Sequence, residues 1–334
     1  TAPQYLTGTA AMDNHYRRRM RMIPLDIVHT HGPFSAGREA LRLARARNIP
    51  LVATFHSKYY DDFYKATKSE ALSKIAVSNI VNFFEKCDEV WAVSESTADV
   101  LRGYGYQGPV RVIPNGVAIR RADPQRVQEL EQQLGLGDAP MFLFVGQLNW
   151  KKNLLRVLEA AALLRQAGHP FYLVLAGQGP DGEAVQAKAQ ALGITDRLIM
   201  PGHITDTAML DALYARASMF VFPSLYDNAP MVLREAAVMG TPAVLVQGSD
   251  AAEIVRDRET GFLCRDEAED LARVMALAIH EPEQVRRAGM GAQGSIPVPW
   301  SAILAQAAQA YEQIIASFTG RPDAWTNTPS RRKK

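Results

Sequence analysis

Short, continuously apolar runs alternate with helix-like segments along nearly the whole chain, and this rhythm constrains the fold more than any other feature. In the first part the runs fall at residues 26–30, 51–55, 89–93 and 110–113. In the second they fall at 141–145, 171–176, 197–200, 219–222 and 243–246. Strands that are apolar at every position suit parallel sheets covered on both faces. The segments between them carry helical spacing and open on turn residues: Lys152-Asn153 before LLRVLEAAALLRQAG, and Thr205-Asp206 before TAMLDALYARA. The pattern predicts an α/β fold with parallel sheets. Residues 114–140 interrupt it with a turn, a charged stretch and Gly/Pro punctuation, and read as an interdomain linker. The domains are expected at 1–118 and 119–300. A terminal amphipathic helix at 301–318 is expected to pack back on the first domain, with a tail at 319–334.

A chain of 334 residues with 47% apolar content is long enough for two such domains. Its net charge of +2 argues against a polyelectrolyte binder and against a nucleic-acid partner. The charge is uneven. Residues 1–130 carry 18 basic and 13 acidic side chains, the remainder 19 and 22. A basic first part suits anionic substrates or, as the alternative, peripheral contact with lipid headgroups at the inner face of a membrane. Cys87 and Cys264 belong to no metal-ligand or disulfide pattern, which fits a reducing, cytoplasmic setting. No run approaches a membrane span, and the opening residues do not read as a signal peptide. The Arg331-Arg332-Lys333-Lys334 end reads as a disordered tail.

One stretch asks for a ligand. In PSLYDNAPMVLREAAVMGTPAV a strand-like run leads into the turn Asp227-Asn228-Ala229-Pro230, and helical spacing begins at Met231 and Val232. Two carboxylates, Asp227 and Glu235, lie eight positions apart, one in the turn and one on the helix. In βα units ligands gather at the carboxyl end of the strand and the amino end of the helix.

That stretch, together with VIPNGV, FVGQLNWKKN, LAGQGP, LIMPGHI and IVRDRETGFL in this order, resembles family 4 of the glycosyltransferases (GT4) over about residues 24–318. The resemblance implies a GT-B fold, two Rossmann-like domains whose parallel sheets face an interdomain cleft. It implies a retaining glycosyltransferase that moves a sugar from a nucleotide-diphosphate sugar to an acceptor hydroxyl, on a glycan or lipid-linked acceptor. Neither cofactor nor obligatory metal is implied.

By the same resemblance Glu235 accepts hydrogen bonds from the nucleotide ribose, and Asp227 lies beside the transferred sugar. A carboxylate suits both tasks, since it accepts from adjacent hydroxyls and favours a developing positive charge. Asn228 and the helix start at Met231 and Val232 are expected at the diphosphate, and Ile204 near the base. Lys152 occupies the position of the family's phosphate-binding lysine. After Gly146, Gln147 stands where the family has arginine, and Pro230 where it has glycine, so a charge-assisted donor and a backbone donor are both missing. His56 corresponds to the histidine near sugar and acceptor. His31 and Asn115, of the Asn-Gly turn, are expected on the acceptor side. His29 and His31 lack the further ligands that a metal would need. Glu253 matches a family glutamate and is taken as structural.

The family normally begins with a strand, a glycine-rich turn and further βα units. Here about 25 residues precede Asp26, Thr7-Gly8-Thr9 is too slight to replace the turn, and NHYRRRMRMIP supplies at most one basic helix. A shortened first domain keeps two other functions in view: a nucleotide-sugar-binding partner subunit without activity, and a GT-B-fold epimerase.

Overall fold

The protein is described by a computed structural model over residues 13–320. Thr7-Gly8-Thr9, and the tail from residue 321 with its basic Arg331–Lys334 end, lie outside the described residues. The chain divides into two units, one holding residues up to Pro114 together with those from Ile303 on, the other Asn115–Ala302.

In the first unit the elements run α1 (Asn14–Met22), β1 (Val28–Thr30), α2 (Ser35–Arg47), β2 (Leu51–Phe55), α3 (Tyr59–Thr67), α4 (Glu70–Phe84), β3 (Glu89–Ala92), α5 (Glu95–Gly103) and β4 (Val110–Val112). The basic helix expected in NHYRRRMRMIP is α1, and Asp13 caps it by accepting from the amides of His15 and Tyr16. The four strands pair in parallel in chain order, β1-β2-β3-β4. All five residues of β2 are buried, as a strand covered on both faces requires. Phe55, Ile80, Phe84, Val90 and Leu101 form the core beneath α4 and α5.

The second unit runs α6 (Pro124–Leu134), β5 (Met141–Val145), α7 (Leu154–Gln166), β6 (Tyr172–Ala176), α8 (Gly182–Ala191), β7 (Leu198–Gly202), α9 (Thr207–Arg216), β8 (Met219–Val221), α10 (Met231–Val238), β9 (Ala243–Val246), β10 (Gly261–Cys264), α11 (Ala268–Met275), α12 (Leu277–His280) and α13 (Pro282–Ser295). Its six strands are all parallel in the order β10-β9-β8-β5-β6-β7. The chain winds outward from β5 to β7, then returns to the other side of β5 at β8 and winds outward again. The sheet therefore reverses its direction of growth between β5 and β8.

The boundary between the units, Pro114/Asn115, falls inside the stretch 114–140 where the linker is expected. Much of that stretch is ordered as a helix: Asp123 caps α6, Pro124 occupies its first turn, Gly135 ends it in the left-handed region, and Leu130 is buried. Arg216 on α9 holds Glu131 on α6 at 2.5 Å, so α6 belongs to the second unit. The edge strand β10 begins at the end of IVRDRETGFL and runs on to Cys264, where no strand is expected from the sequence. Its pairing with β9 over four residues identifies it. The last helix, α14 (Trp300–Ser317), brings Tyr311 into the first unit, where its ring stacks on Trp91 at 5.0 Å.

Candidate functional site

The reversal between β5 and β8 opens a crevice at the carboxyl ends of these two strands, because their following connections run to opposite sides. Both connections carry charged side chains there. After β5 the chain makes a single 3-10 turn, Trp150–Lys152, pinned by the Asn149 carbonyl side chain on the Lys151 amide at 2.9 Å and by Asp181 on the Trp150 amide at 2.9 Å. After β8 it runs through Pro223–Pro230 before α10. Lys152 Nζ and Asp227 Oδ1 meet across the crevice at 2.5 Å, both largely buried. The Ser224 hydroxyl donates to the other oxygen, Asp227 Oδ2, at 2.6 Å. Lys151 Nζ lies 4.4 Å from the centroid of the Tyr226 ring, within the range of a cation–π contact. Asn153 donates to Pro223 O at 3.2 Å and to Asp266 at 2.7 Å, tying the start of α7 to the same loop.

The wall beside this crevice is backbone. Gly146 N donates to Ala176 O, Leu148 N to Gln178 O, and Gly177 N to Gly202 O, so the connections after β5, β6 and β7 are laced together. The lacing requires glycine at Gly177: its φ is +147°, and a Cβ there would lie 1.8 Å from Gly146 O.

Glu235 sits half-buried one turn further along α10, and accepts from the phenol of Tyr214 on α9 at 3.1 Å. Tyr214 has no solvent exposure. Burial first, and then the Glu235 carboxylate, hold its phenol well above the usual value, so it stays a donor. Arg120 grips Asp211, on the same helix as Tyr214, through Nε and Nη2 at 2.8 Å each.

In the first unit three histidines lie together. His29 and His31 flank the end of β1, and His56 follows β2 directly. His31 Nδ1 and His56 Nε2 are 3.0 Å apart, so one of the two must donate and the other accept. His29 stacks on His31 at 4.4 Å and is held at both nitrogens, by Tyr311 Oη at 2.5 Å and Thr54 Oγ1 at 2.7 Å. Burial lowers the His29 pKa to about 3, with His31 and His56 adding to the effect. The His56 pKa is lowered too, by burial and then by His31. Among the described residues no group of three or more His, Cys, Asp or Glu is arranged to hold a metal.

Of the residues singled out from the sequence, Lys152 and Asp227 are brought into contact, and His31 and His56 likewise. Asp227 caps no helix; the N-cap of α10 is Pro230, which offers no side-chain hydrogen bond. Gln147 is exposed, Gly146 and Ile204 are partly buried, and Asn228 is buried beside Asp227. Met231 and Val232 form the first turn of α10. Asn115, expected on the acceptor side, belongs to the second unit, where its side chain donates to Ala229 O at 3.4 Å. Glu253 lies near the buried Arg234, whose guanidinium donates to Ile296 O at 3.0 Å. Tyr214, Ser224, Arg120 and Asp211 carry no sequence signal beyond residue type, since each acquires its partner only when α9, α10 and the β8 connection pack. Ser224, directly after the β8 run, is the one that position alone could have suggested.

The family model described as "Glycosyl transferases group 1" matches residues 126–294, and that described as "Glycosyltransferase Family 4" matches residues 3–121. Among curated proteins, the alpha-monoglucosyldiacylglycerol synthase of Streptococcus pneumoniae is 28% identical over 268 residues, covering 78% of this chain. The chain spans only 60% of that relative's length. The sucrose-phosphate synthase of Thermosynechococcus elongatus matches in structure with a TM-score of 0.77 at 25% identity, over 90% of this chain and 76% of the other. Anabaena Alr3699/HepE, solved with UDP and glucose, has a TM-score of 0.77 at 20% identity over 93% of this chain and 84% of its own, a likeness of fold.

Proposed function

This chain belongs to the group 1 glycosyl transferases, and from that membership we propose that it is a retaining transferase, moving a sugar from a nucleotide-diphosphate sugar to an acceptor hydroxyl. The observation that carries the reading is the meeting of Lys152 and Asp227 at the point where the parallel sheet reverses, with Glu235 on the helix that follows. Open α/β sheets bind their ligands at that point. In this reading Glu235 accepts from the ribose, and the first-turn amides of α10 at Met231 and Val232 face the diphosphate. Ile204, Gly146 and Asn228 line the donor nucleotide.

The chemistry is charge transfer to the leaving group. The acceptor oxygen bonds to the anomeric carbon as the carbon–oxygen bond to the diphosphate breaks, on the same face. The acceptor proton passes to the departing phosphate oxygen. Lys152 gains most as negative charge grows on that oxygen, which is where a preorganised cation lowers a barrier. A diphosphate competes with Asp227 for Lys152, and Asp227, still held by Ser224, is then available to the sugar hydroxyls and the electron-poor anomeric carbon. Lys151, against Tyr226, is the second cation of the crevice and offsets the missing arginine at Gln147. His56 and His31 serve the acceptor side, where a neutral imidazole exchanges a hydrogen bond with a hydroxyl. The acceptor is a glycan or a lipid-linked hydroxyl. The S. pneumoniae relative, by its name, makes a glycosyl diacylglycerol, which supports the lipid choice. No helix among the described residues is long and apolar enough to cross a membrane.

The test is a direct assay of the purified chain with UDP- and GDP-linked sugars against glycan and lipid acceptors, following transfer, hydrolysis and epimerisation separately. Transfer with retained anomeric configuration is expected. Donor binding without turnover across the acceptor panel would replace this reading by that of a binding subunit, and epimerised donor by that of an epimerase.

A further inference from the structure

We propose that Tyr214 is a positioning residue that aims the Glu235 carboxylate at the ribose diol, and so sets this chain's preference for ribonucleotides over 2′-deoxyribonucleotides. The proposal rests on the donor-site reading above. Glutamate has three side-chain torsions, and a carboxylate that must accept from two adjacent hydroxyls loses affinity if it has to be ordered at the moment of binding. Tyr214 removes that freedom. Its ring is fully buried and set edge-on against Phe220 at 5.6 Å. Its carbonyl accepts from the Thr241 hydroxyl, which anchors the end of α9 to the turn after α10. With ring and backbone both fixed, the phenol donates to Glu235 Oε2 at 3.1 Å.

Arg120 stands close enough for the Glu235 charge to act on it, and its Nε and Nη2 hydrogen-bond Asp211; the hydrogen bond that Glu235 accepts comes from Tyr214. One lone pair of Oε2 is therefore spent on a neutral donor, and the rest of the carboxylate keeps its acceptor capacity. A site that commits a partly buried acceptor to a hydroxyl rejects the analogue lacking that hydroxyl, because the acceptor is left unsatisfied. The 2′-hydroxyl is the group so read.

The experiment is calorimetric titration of the full chain with UDP, GDP and their 2′-deoxy counterparts. Wild type, Tyr214→Phe, Glu235→Gln, Glu235→Asp and the double variant Tyr214→Phe/Glu235→Gln are compared. Wild type is expected to bind a ribonucleoside diphosphate roughly tenfold more tightly than its deoxy form, the worth of one hydrogen bond to a charged group. Tyr214→Phe should weaken the ribonucleotide about fivefold and the deoxynucleotide little, shrinking the ratio. In the double variant it should add nothing to Glu235→Gln. Glu235→Asp keeps the charge but withdraws the carboxylate from the phenol, and should lose discrimination in the same way even if Tyr214→Phe does not fold. An unchanged ratio in a folded Tyr214→Phe or in Glu235→Asp overturns the proposal. So does equal weakening of both nucleotides, which marks a purely structural tyrosine. Wild type that binds no nucleoside diphosphate overturns the donor-site reading itself, a different and recognisable failure.

Discussion

Lys152 is held by a carboxylate in the free protein, and this decides what its removal does. The pair is largely buried, so truncating the lysine removes the cation from Asp227, which keeps its bond from Ser224, a cost that falls on ground state and transition state alike. What only the transition state loses is the cation beside the departing diphosphate. Lys152→Ala should therefore lower kcat about a hundredfold or more while the donor KM changes far less, as single-turnover and steady-state kinetics would register. Lys151→Ala, which removes the cation over the Tyr226 ring, should do less. His29 makes the second prediction at this scale. Its folded pKa of about 3 lies below the ordinary imidazole value of 6.5, so the unfolded chain binds the proton and the folded chain refuses it. The stability due to neutral His29 is complete above pH 6.5 and is lost progressively as the pH falls toward 3. By pH 5 the loss is about 2 kcal/mol, and the lowered His56 shifts in the same sense. Urea denaturation between pH 7 and 5 should show this slope in wild type and a flatter one in His29→Asn.

The elements were legible where their spacing is periodic and obscure where a partner defines them. The runs at 51–55 and 141–145 became β2 and β5 without change of bounds, since apart from Thr54 each is apolar throughout, and all of β2 and the first four residues of β5 are buried. Helix α6 was hidden in a polar stretch: its apolar positions are few, although Asp123-Pro124 at the start and Gly135 at the end were readable as caps. Strand β10 has four residues and a glycine at its head, too short to show a period. The seam after β5, β6 and β7 gives a prediction at this scale. Gly177→Ala drives a methyl group into Gly146 O and into a disfavoured φ, and should destabilise the protein by about 2–4 kcal/mol in denaturant titration. Gly294→Ala, on the exposed side of α13 with no atom within 4 Å of the new methyl, should be neutral or stabilise by up to about 1 kcal/mol.

At the scale of the molecule, the division at Asn115 and Ala302 defines a separable body with its own sheet and core. The segment 115–302 should unfold in one cooperative transition and bind UDP or GDP without transferring sugar. Bound nucleotide at a hundredfold its Kd should add about 2.7 kcal/mol to its stability, visible as a raised Tm. A segment that folds but binds neither nucleotide, beside a full chain that binds one, would mean that donor contacts come from residues outside 115–302.

The sequence by itself determined the class of fold, because covered parallel strands must be apolar throughout and helices must repeat every 3.6 residues, and both constraints are local. It also placed Asp227, Lys152, His31 and His56 after such runs and Glu235 on the helix that follows one, and the resemblance to GT4 singled them out among the residues there. The tertiary structure alone decided who meets whom. The ion pair of Lys152 and Asp227 joins residues 75 positions apart, Tyr214 reaches Glu235 across two helices, and Tyr311 reaches His29 from 282 positions away. Such contacts leave no trace in local spacing, since they depend on which strands become neighbours. Strand order is fixed by the packing of the whole sheet: the return of β8 to the side of β5 is what closes the candidate site.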